Sequence, residues 1–128
     1  MTILNLSSSV STPRVLVTDE VFQITGETRP ENPKQFYDEV FAALNKVADL
    51  LKHDNNVAYR FEFDFEYIST SSLVMIKKLL MEIKTLQDTH SNTSACWLYY
   101  HIDEDMRLLG EEMVLITEVK MDLAKRES

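Results

Sequence analysis

Glycine, proline and cysteine are scarce, with two, three and one among 128 residues. The glycines, Gly26 and Gly110, stand alone, so no glycine-rich phosphate loop exists. Cys96 has no partner for an internal disulfide. Within the strand-like "SACWLYY" it reads as a small buried hydrophobe. Basic residues are in deficit, 13 against 21 acidic ones, for a formal net charge of −8. Nucleic-acid affinity draws on clustered Lys and Arg, so a phosphate-backbone partner is disfavoured. An anionic membrane surface is disfavoured for the same reason. No apolar run approaches the roughly 20 residues that cross a bilayer. The start "MTILNLSSSVSTP" lacks the basic and apolar regions of a signal peptide. The expectation is a cytoplasmic protein, not inserted in a membrane, that meets small molecules or other proteins.

Catalytic signatures are missing as well. His53, His90 and His101 lie in three different segments, none at metal-motif spacing. No nucleophile elbow or kinase motif occurs. The carboxylates Glu62, Asp64 and Glu66 alternate along one stretch, roughly 7 Å apart at successive pairs. Such a row could hold a divalent cation or supply an acid and a base, but it also describes a solvated sheet face. The run Asp103, Glu104, Asp105 lacks calcium-loop spacing and reads as the acidic first turn of a helix. No catalytic residue, metal site or cofactor is expected.

What is present is a clear order of elements. With 45% hydrophobic and 27% charged residues, residues 1–128 fit one domain with a single core. Met1 to Thr12 is polar and Ser-rich, and reads as a loose end. Two short strands follow at Arg14–Thr18 and Glu20–Gly26, the second ended by Gly26. After the loop "ETRPENP", Asn32 is a fitting N-cap with Pro33 at the first helical position. Phe36, Val40, Phe41, Leu44, Val47, Ala48 and Leu51 then mark a helix from Pro33 to about Lys52.

Val57 to Ile68 alternates strictly. Val57, Tyr59, Phe61, Phe63, Phe65 and Tyr67 point one way, and the charged residues point the other. This predicts a strand with one dry face, so helices should cover mainly one side of the sheet. A second helix, about Ser71 to Gln87, carries the stripe Leu73, Ile76, Leu80 and Ile83. A strand at "ACWLYYH", a short helix at "DEDMRLLGEEM" and a final strand at "VLITEVKMDLA" complete the chain. The fold class is α/β with α+β character: one mixed sheet of about four to five strands packed by helices.

Between the alternating strand and the second helix stand four hydroxyls, Ser69 to Ser72. One is needed as an N-cap, and Ser69 or Thr70 can serve. The others invite a second role. A hydroxyl at a strand-to-helix corner is exposed, and the helix start offers free N–H groups and a positive dipole end to a phosphate. The pattern does not choose among the four.

Three stretches together resemble the SiaC-type regulatory phosphoproteins of bacteria, which have an anti-sigma-factor-antagonist-like (STAS-like) fold. They are "GETRPEN" (Gly26 to Asn32), "FEYISTSS" (Phe65 to Ser72) and "WLYYHIDEDMRLLGEEM" (Trp97 to Met113). Order and spacing agree from about Pro13 to Leu123. The resemblance implies a protein without catalytic activity that works in a partner-switching circuit. It implies phosphorylation of Thr70 by a dedicated Ser/Thr protein kinase, with Ser69, Ser71 and Ser72 as secondary candidates. It further implies dephosphorylation by a metal-dependent Ser/Thr phosphatase. The unphosphorylated form is expected to bind and activate a diguanylate cyclase, linking the switch to cyclic-di-GMP and biofilm formation. The alternative is a STAS-type anti-sigma-factor antagonist that binds an anti-sigma kinase. Charge switching is short-ranged, with a Debye length of about 8 Å in physiological salt. The expected partner surface is therefore Thr28, Arg29, Pro30, Glu31 and Asn32 together with Ser69, Ser71 and Ser72.

Overall fold

The computed structural model describes residues 1–126. Six strands and three helices follow in the order β1 (Thr2–Leu6), β2 (Arg14–Thr18), β3 (Val21–Thr28), α1 (Pro33–His53), β4 (Tyr59–Ile68), α2 (Thr70–Thr89), β5 (Thr93–Tyr99), α3 (Glu104–Thr117) and β6 (Asp122–Lys125). The strands lie side by side in sequence order. β1 to β3 pair antiparallel and β3 to β6 pair parallel. Parallel neighbours need crossover helices, and crossovers of one hand that step in one direction fall on one face of the sheet. Accordingly α2 packs against both α1 and α3.

The dry face of β4 sets the core. Tyr59, Phe61, Phe63 and Phe65 are buried, with Phe61 5.4 Å from Phe22 and Phe65 5.6 Å from Trp97 between ring centroids. α3 approaches this layer closely at Gly110. A Cβ there would stand 2.7 Å from Trp97 Cδ1, so even alanine would force a shift.

The structure corrects several expectations. Thr2–Leu6 is an ordered edge strand, because Ile3, Leu4 and Leu6 pack on the core and the backbone pairs with β2. The sheet thus has six strands. β3 runs past Gly26, which sits at φ 113° beside a β-bulge. The bulge skips Glu66 in the pairing, with Gly26 opposite Phe65 and Glu27 opposite Tyr67. Alternation breaks there, so Tyr67 turns outward and is exposed. Val57 lies before the strand.

Near the end, α3 continues through Thr117, taking residues expected in a last strand. Met106, Gly110, Met113 and Thr117 are buried at helical spacing. Glu118, in the left-handed conformation, closes it by donating its N–H to Val114 O. β6 is correspondingly short. Gln87 fixes the connection between them, donating to Lys120 O at 2.7 Å and accepting from Lys120 N at 2.9 Å. No described helix is long and apolar enough to cross a membrane.

Candidate functional site

The parallel arrangement brings the C-terminal ends of β3, β4 and β5 and the starts of α1, α2 and α3 to one edge of the sheet, where open α/β sheets carry their sites. Each helix start is capped by a side chain. Asn32 Oδ1 accepts from Gln35 N at 3.1 Å, Ser69 Oγ from Ser72 N at 3.2 Å, and Asp103 Oδ1 from Met106 N at 3.0 Å.

The four hydroxyls of the corner take different places. Ser69 is the N-cap of α2 and is half-buried. Ser72 is fully buried. Thr70 and Ser71, the first two residues of the helix, are exposed. Beneath them lies a cluster of three hydroxyls from three elements. Thr28 Oγ1 stands 2.7 Å from Tyr37 Oη and donates to Ser72 Oγ at 3.1 Å. Burial pushes the Tyr37 phenol up to about 12, so the cluster is neutral at ordinary pH. The backbone adds a tie, with Ser69 N donating to Thr28 O at 2.9 Å. Tyr37 is the member that sequence reasoning missed. Its place one turn before Val40 and two turns before Leu44 puts it on the inner stripe of α1.

The expected partner surface is therefore only partly available. Thr28 and Ser72 are buried in the hydroxyl cluster and Pro30 is buried in its loop, so none of the three presents its side chain to a partner. Arg29, Glu31 and Asn32 are exposed. Arg29 is braced by its neighbours: its N–H donates to Ser11 O at 2.8 Å and its Nη2 to Val10 O at 3.2 Å.

On the other flank of the corner, a cleft of about 300 Å³ runs between Glu66, Tyr67 and Ile68 and the start of α3, at Asp103, Asp105 and Met106. This cleft is lined by three carboxylates and no cation. Moreover, α2 has no acidic residue in its first turn, whereas α3 has Glu104 and Asp105.

The carboxylate row on β4 faces the uncovered side of the sheet. Two of its three members are separately engaged: Glu62 accepts from Gln23 Nε2 at 2.9 Å and from Arg60 Nε at 3.1 Å, and Asp64 accepts from Arg126 Nε at 2.9 Å. Among the described residues no group of three His, Cys, Asp or Glu could hold a metal ion. Cys96 lies on the same face, half-buried and not in the core as expected. Burial, then Asp122, Glu62 and Asp64, raise its thiol pKa and keep it protonated.

The family model described as SiaC family regulatory phosphoprotein matches residues 6–126. No curated protein sequence matches. Among solved structures, a chain in the crystal structure of diguanylate cyclase SiaD in complex with its activator SiaC from Pseudomonas aeruginosa superposes with a TM-score of 0.84 at 18% identity, covering 96% of this chain and 99% of that one. Apo-SiaC from Pseudomonas aeruginosa gives 0.79 at 16% identity, covering 94% and 97%. A further structure of SiaC of Pseudomonas aeruginosa gives 0.80 at 16%, covering 96% and 98%.

Proposed function

The chain belongs to the SiaC family of regulatory phosphoproteins, and from that premise we propose that it is a non-catalytic switch, phosphorylated at Thr70, that binds and activates a diguanylate cyclase in a cyclic-di-GMP circuit. A Ser/Thr protein kinase adds the phosphate and a metal-dependent phosphatase removes it. The observation that supports the choice of residue is the division of the four hydroxyls. Ser69 is committed to the cap and Ser72 to the buried cluster, while Thr70 and Ser71 are exposed in the first turn of α2; between those two, the resemblance of the corner to the family's own favours Thr70. A phosphate there meets a helix start that lacks acidic side chains of its own, so the dipole and free N–H groups favour it. It adds about −1.5 to −2 charge. Four residues from Glu66, that charge alters the surface without disturbing the core. The cyclase is supported by the fold shared with a chain of the SiaD–SiaC complex.

The test uses the whole protein with the host's kinase and ATP. Mass spectrometry should place the phosphate on Thr70, and calorimetry should show cyclase binding by the unphosphorylated form and its loss on phosphorylation. Phosphate mainly on Ser71 would move the switch by one residue. No phosphate on the corner, or unchanged cyclase binding after stoichiometric phosphorylation, would remove it.

A further inference from the structure

Six of the ten exposed large hydrophobic side chains among the described residues lie on α3, just before it in the chain, or at the cleft lined by its start: Tyr67, Tyr100, Ile102, Leu108, Leu115 and Ile116. Their exposure is large for an ordered helix and its entry, reaching 72% at Ile102 and 80% at Leu115. Leu108 and Leu115 are two turns apart and so lie on one line of the helix. By the same geometry Glu104 and Glu111 fall on one side of that line, and Asp105 and Glu112 on the other. The segment from Tyr100 to Glu118 holds six carboxylates against one guanidinium, which is five of the chain's eight excess negative charges. That single cation, Arg107, is already paired with Glu104 and with Glu111. At its start the strip runs into the cleft between Tyr67 and Asp105.

We propose that the outer face of α3 is a docking strip for a basic amphipathic helix of a partner protein, whose apolar side chains cover Leu108 and Leu115 and whose Lys or Arg residues pair with the flanking carboxylates. An apolar seam bordered by one sign of charge selects a helix bordered by the other. A second copy of this chain would set acid against acid, and an anionic membrane or nucleic acid would be repelled. The proposal deepens the regulatory role above by naming the chemistry of the segment that the protein recognises.

The probe is a synthetic amphipathic helix of Leu and Lys, titrated into the isotope-labelled full-length protein and followed by NMR. The same helix with Glu in place of Lys is the control. Shift changes should concentrate on residues 102–116 and be absent with the control peptide. Leu108→Ser combined with Leu115→Ser should weaken binding at least tenfold, as should Glu112→Lys. Both leucines are exposed, so the fold should persist, and the NMR spectrum verifies it. Val74→Ser on α2 and Glu39→Lys on α1 make the same chemical changes elsewhere and should shift affinity less than twofold. Equal losses in these controls would overturn the strip, because the peptide would then be reading net charge alone. A dimer of the free protein that is abolished by Leu115→Ser would also overturn it, since a second copy would be the occupant.

A pull-down with the host's diguanylate cyclase separates the two proposals. A cyclase that binds wild type and the double Ser variant equally would sink the strip. A cyclase that binds neither, while the Leu/Lys helix docks on α3, would sink the cyclase role and leave the strip standing.

Discussion

The starts of α2 and α3 are two strand-to-helix corners on the same edge, built for opposite ends. Both are capped by a side chain that accepts from the N–H three residues on. At α3 the cap is Asp103 and the first turn adds Glu104 and Asp105, so the positive end of the helix is already met by carboxylates. At α2 the cap is neutral, the first turn has no acid, and a buried neutral cluster of Thr28, Tyr37 and Ser72 lies underneath. An anion added at α3 would meet repulsion, whereas one added at α2 would gain the dipole. The difference teaches that what a helix start leaves unfilled decides whether an added anion is favoured there.

The largest effect that probes this contrast is alkaline. Tyr37 titrates near 12 when folded, against about 10 when unfolded. Its neutral form belongs to the folded state, so the stability linked to it is full below pH 10 and is lost as pH rises towards 12. The gap corresponds to roughly 3 kcal/mol. Urea unfolding at pH 8 and pH 12 should show the loss, and Tyr37→Phe should make the decline shallower. An identical decline in the variant would place the titration elsewhere. Next comes Thr28→Val, which leaves the hydroxyls of Tyr37 and Ser72 without their shared partner. It should cost about 1–3 kcal/mol, read by the same unfolding curves.

Smaller effects separate the caps. Ser69→Ala and Asp103→Ala should each cost about 1 kcal/mol. The two should diverge in salt: the loss at Asp103 shrinks in 1 M NaCl, because part of it is a screened charge–dipole term, while the loss at Ser69 holds. Equal salt dependence would erase the contrast between the corners. Smallest is Thr70. Because Ser69 is the cap, Thr70→Ala should change stability by no more than about 0.5 kcal/mol. Thr70→Asp should stabilise the protein by about 0.3–1 kcal/mol at low salt. Destabilisation by Thr70→Asp, seen as a lower Tm, would mean that the acids nearby outweigh the helix dipole.

The sequence by itself determined whatever depends on neighbours along the chain. The apolar stripe of α1, its Asn32–Pro33 start, the alternation from Tyr59 to Phe65 and the helix after Ser69 are local patterns, and each appears where its period placed it. The motifs of the hydroxyl corner and its loop were visible for the same reason. Only the tertiary structure decided the rest. Edge strand β1 gains its order from pairing with β2 and from packing on the core, which a five-residue polar-flanked stretch does not announce. The bulge opposite Gly26 turned Tyr67 from core to surface, because a skipped residue in the pairing reverses every side chain beyond it. The end of α3 was hidden because the β-branched Val114, Ile116 and Thr117 mimic a strand, while burial of Met113 and Thr117 holds them in a helix. The four hydroxyls differ little in local chemistry. Thr28 and Tyr37, distant in sequence from the corner, draw Ser72 into the interior and leave Thr70 and Ser71 in solvent. That selection is a property of packing between elements, which no spacing within a single element encodes.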